Sequence, residues 1–293
     1  MDTLKALLNE VSICDQPSRL FDQIAHNLLT NIALMINGYQ FRLLEIEFYI
    51  YNHHHTDIFA HCFKYQKTHF KWYFHHASEK EHSYKGGNYK GLDLTCGNEN
   101  TYGGILIRAI QNDKGEIIEG PCRVVNKILE LTGCESILEL VTSKLQNNIE
   151  ADNPLLCLKA SNFPEEFIFR SPRIGLTLKK SDNLALREQY ISKLYRFLIY
   201  PQMISKGKKM ITMIAINDND KTIIAKYFGF NETAIEKLKS SIPKLENYDI
   251  NQYKGKDLTD NQRLELYFSS KCPKQKIELK NRIKINLKPI HPM

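Results

Sequence analysis

Along Leu44-Glu45-Ile46-Glu47-Phe48-Tyr49-Ile50 apolar and polar residues alternate without a break, the period of a half-buried β-strand rather than of a helix. Leu44, Ile46, Phe48 and Ile50 fall on one face; Glu45, Glu47 and Tyr49 fall on the other. Two carboxylates and a phenol therefore share one surface above an apolar layer. Carboxylates held this close shift each other's proton affinity, so one of them can act as a general base. The plainer reading is an antiparallel strand whose glutamates meet water. The rest of the chain has to choose between them.

The 293 residues can bury one large core or two modest ones, and 42% hydrophobic with 25% charged residues is the balance of an ordinary soluble protein. No apolar run reaches the roughly 20 residues that cross a bilayer, and Met1-Asp2-Thr3-Leu4-Lys5 lacks the order of a secretory signal. Seven scattered cysteines without a CxxC pair argue for reduced thiols, and hence for a cytosolic protein. The formal charge is +7, of which residues 271–293 carry +6. Such a tail is either a nucleic-acid arm or a solubilising end.

Helical spacing from Leu4 to about Met35 predicts one or two helices. Strands are predicted at Arg42–Tyr51, Tyr89–Thr95 and Ile105–Ile110, with a turn at Asn112-Asp113-Lys114-Gly115. Gly120-Pro121 opens a helix through Thr132, and a second helix is expected over Glu135–Asn147. Phe167–Leu178 reads as a strand pair broken at Ser171-Pro172, and Leu194–Leu198 as another strand. Ala225–Leu245, split near Gly229, and Leu258–Ser269 read as helices, and Lys276–Lys288 as an edge strand. Strands interrupted by helices without a βαβ repeat describe an α+β fold. A single α+β domain, with a curved, mainly antiparallel mixed sheet flanked by helices, is expected over 1–206. A mainly helical extension with a basic tail is expected over 207–293.

Eight of the ten histidines lie between His53 and His82, but adjacent His53-His54-His55 and His75-His76 cannot converge on one ion from a regular element. A loop-borne histidine patch is the better reading than a metal site. Asp57 and His61 are spaced to face the same way on a helix. Trp72-Tyr73-Phe74-His75-His76 is either core packing or, with Tyr49 and His61, the wall of a pocket for a flat heterocycle. Arg108 in an apolar strand needs an acceptor. That acceptor is a structural acid, or it is Glu45, Glu47 or Asp93 in a site that orients water. Phosphate-loop, dinucleotide and serine-nucleophile motifs are absent. Acid–base chemistry by carboxylates remains.

In this order the segments resemble the alkyladenine (3-methyladenine) DNA glycosylase family. Leu44–Tyr49 resembles its glutamate-bearing strand, Asp57-Ile58-Phe59-Ala60-His61 its Asp-x-x-x-His element, and Trp72–His76 its aromatic strand. Leu92-Asp93-Leu94, Leu106-Ile107-Arg108-Ala109, Gly120-Pro121, Pro172-Arg173-Ile174-Gly175 and Arg196-Phe197 match later elements, over about Arg42 to Pro201. The resemblance implies an α+β domain that flips a damaged purine nucleotide out of double-stranded DNA and hydrolyses its N-glycosidic bond, as a monomer without metal or organic cofactor. Glu47 would activate the water and Arg108 would hold it. Glu45, Tyr49, His61, Tyr73 and Asp93 would line the base pocket. Tyr84 or Tyr89 would take the place of the family's intercalating tyrosine, and Arg123 that of its DNA-contacting lysine. Asp93 replaces a usual asparagine, about a dozen extra residues lie between His76 and Asn88, and nothing beyond Lys209 matches. Such a protein works in the cytoplasm, at the nucleoid of a bacterium, or in a nucleus. Two other readings use the same residues: a non-catalytic nucleic-acid-binding module with a nucleobase pocket, and an N-glycosidic hydrolase acting on a different modified nucleobase.

Overall fold

The computed structural model describes residues 1–75, 89–179, 182–242 and 249–271. They pack as two compact units. The first comprises Met1–Thr56, Ala60–Phe169 and Tyr195–Tyr200; the second comprises Asp57–Phe59, Arg170–Leu194 and the described residues from Pro201 onward. A single boundary at 206 does not describe this grouping, because Arg170–Leu194 goes with the C-terminal helices.

The first unit opens with α1 (Asp2–Ile13) and α2 (Phe21–His26), the latter running into a π-type turn at Asn27–Asn31. The helical expectation over Leu4 to Met35 then fails at its end, because β1 (Ile32–Ile36) is a strand. Asn37 and Gly38 explain it. Both adopt positive φ, 47° and 86°, forming the tight Asn-Gly turn that reverses a chain into a hairpin. The apolar run before that turn pairs antiparallel with β2 (Tyr39–Tyr51).

The unit continues through β3 (His69–His75), β4 (Gly91–Cys96), β5 (Tyr102–Asn112) and β6 (Ile117–Glu119). Next come α3 (Pro121–Thr132), the short α4 (Ile137–Glu139), β7 (Asp152–Asn153) and β8 (Leu156–Ala160). Two further short strands are β9 (Phe169–Ser171) and β10 (Arg196–Leu198). In the α+β fold the strands form a curved antiparallel sheet of order β3-β4-β5-β2-β1-β8-β7, with β6 on β5 and β10 on β2. The expected strand pair over Phe167–Leu178 reduces to β9. Helix α3 starts where Pro121 occupies the first turn, and it stops at Gly133 in the left-handed region.

Alternation sorts the sheet into two faces. Ile46, Phe48, Ile105, Ile107 and Trp72 are buried on one. Phe48 stacks on Phe21 at 4.1 Å and meets Phe197 edge-on at 5.3 Å. Burying each such side chain contributes about 1.5–3 kcal/mol, which makes this face the core. The Trp72 indole N–H donates to the Leu156 carbonyl at 2.9 Å, so its polar edge is satisfied within it. The other face carries the polar residues taken up below.

The second unit is helical from α5 (Leu184–Ile191) through α6 (Lys208–Asp218), α7 (Lys221–Phe228), α8 (Glu232–Ser240) and α9 (Asp260–Lys271). Met210, Met213, Ile214, Leu264 and Tyr267 form its apolar cluster. The break at Gly229 is a left-handed helix end, and Asn231 caps α8 by accepting from the Ala234 N–H. Among the described residues no helix is long and apolar enough to cross a membrane. The edge strand expected at 276–288 lies outside the described residues, as does most of the basic tail.

Candidate active site

Glu45 and Glu47 leave β2 on one face and are both fully buried. Carboxylates at that depth need cations and donors. The pairing of β2 with β5 supplies the first cation at an irregularity. Glu45 lies opposite Ala109 while Ile46 lies opposite Ile107, so the ladder shifts at Arg108. A bulge of this kind re-aims a side chain. Here Arg108 Nε donates to Glu45 Oε1 at 2.7 Å, and Nη1 reaches Glu47 Oε2 at 3.4 Å. Burial disfavours the guanidinium's charge, but the attraction of Glu47, then Glu45, outweighs it and holds its pKa above the ordinary value. The second cation comes from β10, where Arg196 Nε donates to Glu45 Oε1 at 2.6 Å. Two buried carboxylates thus face two buried guanidiniums. The Tyr49 hydroxyl donates to Glu47 Oε2 at 2.8 Å, and Glu45 Oε2 has no hydrogen-bond partner.

The same face continues across the sheet. Glu47 lies opposite Leu106, Leu106 opposite Asp93, and Asp93 opposite Tyr73. Buried Asp93 accepts from Gln66 Nε2 at 3.0 Å, and its other oxygen lies 3.1 Å from His75 Nε2. That second contact is misaligned for a hydrogen bond, and Asp93 Oδ1 and His75 Nδ1 have no other partner. The Tyr73 hydroxyl and His61 Nδ1 are 2.9 Å apart, and the His61 and His75 rings stack at 5.3 Å. Tyr89 meets His75 edge-on at 5.8 Å. Burial, and after it the charge of Asp93, raises the pKa of both tyrosines. Gly104 is required here, since a Cβ would stand 2.5 Å from Asp93 Oδ2 and 2.8 Å from Gln66 Nε2.

Of the residues singled out from the sequence, the structure gathers Glu45, Glu47, Tyr49, Tyr73, Asp93 and Arg108 on this face, with His61 against Tyr73. Tyr89 is half-buried, with its ring edge-on to His75. Arg123 is exposed in the first turn of α3, and Tyr84 lies outside the described residues. The helical expectation behind the Asp57–His61 spacing is corrected. Residues 57–63 form no helix: Asp57 Oδ1 accepts from the Phe59 N–H at 3.2 Å in a local turn, and Cys62 adopts positive φ, 55°; the Asp57 carboxylate is engaged bidentately by Arg173. His55 contacts Tyr195, and His54 contacts Asp15. Among the described residues no group of three or more His, Cys, Asp or Glu side chains is placed to hold a metal ion.

Sequence reasoning missed the roles of Arg196, His75 and Gln66. Arg196 was visible only as part of a matched element, and its charge as a counterion emerges from a three-residue strand 151 positions from Glu45. His75 was hidden in an aromatic run, although its two-residue offset from Tyr73 signals a shared face.

No family model matches the chain. A relative exists in Acanthamoeba polyphaga mimivirus, the "Uncharacterized protein L759". It is 36% identical over 216 residues, which cover 69% of this chain and 96% of the viral protein.

Proposed function

We propose that this chain, which belongs to the same family as the mimivirus protein L759, is an N-glycosylase that excises an alkylated or otherwise modified purine from double-stranded DNA. The observation that carries the reading is the buried Glu47, held by the Tyr49 hydroxyl at 2.8 Å and faced by Arg108 at 3.4 Å. It shares one sheet face with the Tyr73 ring, against which His61 packs.

Hydrolysis of an N-glycosidic bond passes through an oxocarbenium-like sugar. The group beneath it needs a negative charge and a grip on one water molecule more than it needs strong basicity. Glu47 supplies both, taking the proton as water bonds to C1′. Tyr49 and Arg108 hold the carboxylate, and Glu45 with Arg196 holds Arg108. An alkylated purine is cationic and favoured by ring walls by about 0.5–2 kcal/mol per contact. Extrusion from the duplex costs a few kcal/mol and is cheapest at damaged pairs. Glu47 is sealed from solvent, so seating a nucleotide includes opening this face.

The test is mass spectrometry of the bases released from alkylated and from deaminated duplex DNA. Free base is expected from the intact protein, with at least a hundredfold loss in Glu47→Gln, the scale of a lost general base. An unchanged rate in that variant, folded normally, removes the mechanism.

A further inference from the structure

We infer that the turn Phe63–Lys67 is a stacking platform for unpaired nucleotides, so that the chain takes a damaged purine from a bubble or a single-stranded stretch in preference to a continuous duplex. The inference rests on the glycosylase reading only for where the damaged base goes. The turn lies between the Asp57–His61 and Trp72–His76 elements and belongs to neither.

One buried side chain sets the turn. Gln66 is 1% exposed, its backbone N–H donates to the Phe63 carbonyl at 2.8 Å, and its Oε1 accepts from the Phe63 N–H at 3.2 Å. Its Nε2 donates to Asp93 Oδ2 at 3.0 Å, which bolts the turn to the sheet. The sheet is shaped to receive it: a Cβ on Gly97 would overlap the Gln66 carbonyl, and one on Gly104 would stand 2.8 Å from Gln66 Nε2. Thr68 ties the far end, its hydroxyl donating to the Tyr65 carbonyl at 2.7 Å and its carbonyl accepting from the Gly97 N–H at 2.8 Å. On this fixed turn Phe63 is half-buried and Tyr65 is 39% exposed. Rings held this way lose little further freedom when something lands on them.

These rings carry the wall of the proposed base pocket out to the surface. Phe63 lies 6.1 Å from Tyr73 with planes 14° apart and 5.8 Å from His61, and Tyr65 lies 5.5 Å from Phe63. Cations alternate with them. Lys64 Nζ stands 5.2 Å from the Tyr65 ring centre, and Lys67 Nζ stands 4.7 Å from that of Tyr102. Between Asp57 and Glu79 the chain carries three lysines and no acid. Aromatic faces interleaved with cations suit a single strand, since rings stack on bases while ammonium groups follow phosphates. A duplex would use the lysines alone, because its base faces already stack on one another. A strand whose damaged purine rests against Tyr73 can lay its next bases on Phe63 and Tyr65. Extrusion also costs least where there is no pair to break.

Fluorescence anisotropy of the full chain is measured with labelled oligo(dT), an abasic oligomer of the same length, and a duplex of that length. The two single strands carry equal phosphate charge, so the basic tail contacts both alike. Wild type is expected to bind oligo(dT) about tenfold more tightly than the abasic strand, the scale of one stacked base. That preference should vanish in Tyr65→Ala and survive in Tyr65→Phe, which keeps the ring, while duplex affinity stays unchanged in both. Lys64→Gln with Lys67→Gln should reduce the salt slope by about 1.4 on either single strand. Release of 7-methylguanine should be faster from a bubble than from a duplex, with the advantage smaller in Tyr65→Ala. Equal wild-type affinity for the two single strands, a preference that survives Tyr65→Ala, or a bubble advantage untouched by that variant would overturn the inference and leave the glycosylase reading standing. A stacking preference that depends on Tyr65, with no base released from any substrate, would support the platform and sink the glycosylase reading instead.

Discussion

Arg196→Met tests the buried charge balance most directly. Arg196 and Glu45 are both fully buried, with Nε and Oε1 2.6 Å apart. Unit charges about 4 Å apart interact by about 4 kcal/mol at the effective dielectric of a protein, and removing one partner of a buried pair costs about 3–5 kcal/mol. Methionine keeps much of the arginine stem's volume, so packing changes little. Glu45 would retain Arg108, but Arg108 is already shared with Glu47. Two carboxylates would then face one guanidinium. The expected loss is about 3–5 kcal/mol, or roughly 6–20 °C in Tm for a unit of this size. Urea unfolding followed by fluorescence measures it, because Trp72 is the only tryptophan and is 1% exposed in the same unit. Adding Glu45→Gln removes the surplus anion and leaves Glu47 facing Arg108. The double variant should therefore lose at least about 1 kcal/mol less than the sum of the two single variants. A single-variant loss below about 1 kcal/mol, or strict additivity, would refute the reasoning.

Two glycines should fail for different reasons. Gly104→Ala drives a methyl group into the Asp93 carboxylate and should cost about 1–3 kcal/mol by overpacking. Gly38→Ala meets open space and should cost only the left-handed strain, about 1 kcal/mol; urea midpoints compare them, and a harmless Gly104→Ala would deny the close approach. Tyr73 ionises less readily folded than at its ordinary pKa of 10, because of burial and then Asp93. The folded state thus holds that proton more tightly. Its contribution is complete below pH 10 and is lost as pH rises beyond it. The urea midpoint should hold up to about pH 10 and drop from there to about pH 11, by less in Tyr73→Phe; an equal drop in that variant would contradict the assignment.

Much of the site could be read from the chain because it lies on strands with unbroken alternation. The order Leu44 to Ile50 states which residues share a face, and Arg108 announces its need for an anion by standing among apolar neighbours. What could not be read depends on register between distant segments. That His75 meets Asp93 follows from pairing across β3 and β4, and that Arg196 reaches Glu45 follows from a strand too short to show a period. The helical expectation up to Met35 takes in most of β1 because a short apolar run fits either period. Asn37-Gly38 was the overlooked signal. The Asp57–His61 spacing presumes a helix, whereas the local turn at Asp57 and the positive φ of Cys62 keep the segment irregular.

The strict two-sidedness of β2 also limits how such a chain can change length. One residue inserted or deleted between Leu44 and Ile50 would turn a phenylalanine toward the arginines and a glutamate toward Trp72, inverting every position beyond it. Viable length variants within that strand should therefore come in steps of two, or carry a compensating bulge beside the change. Single-residue gaps should gather at the turns instead.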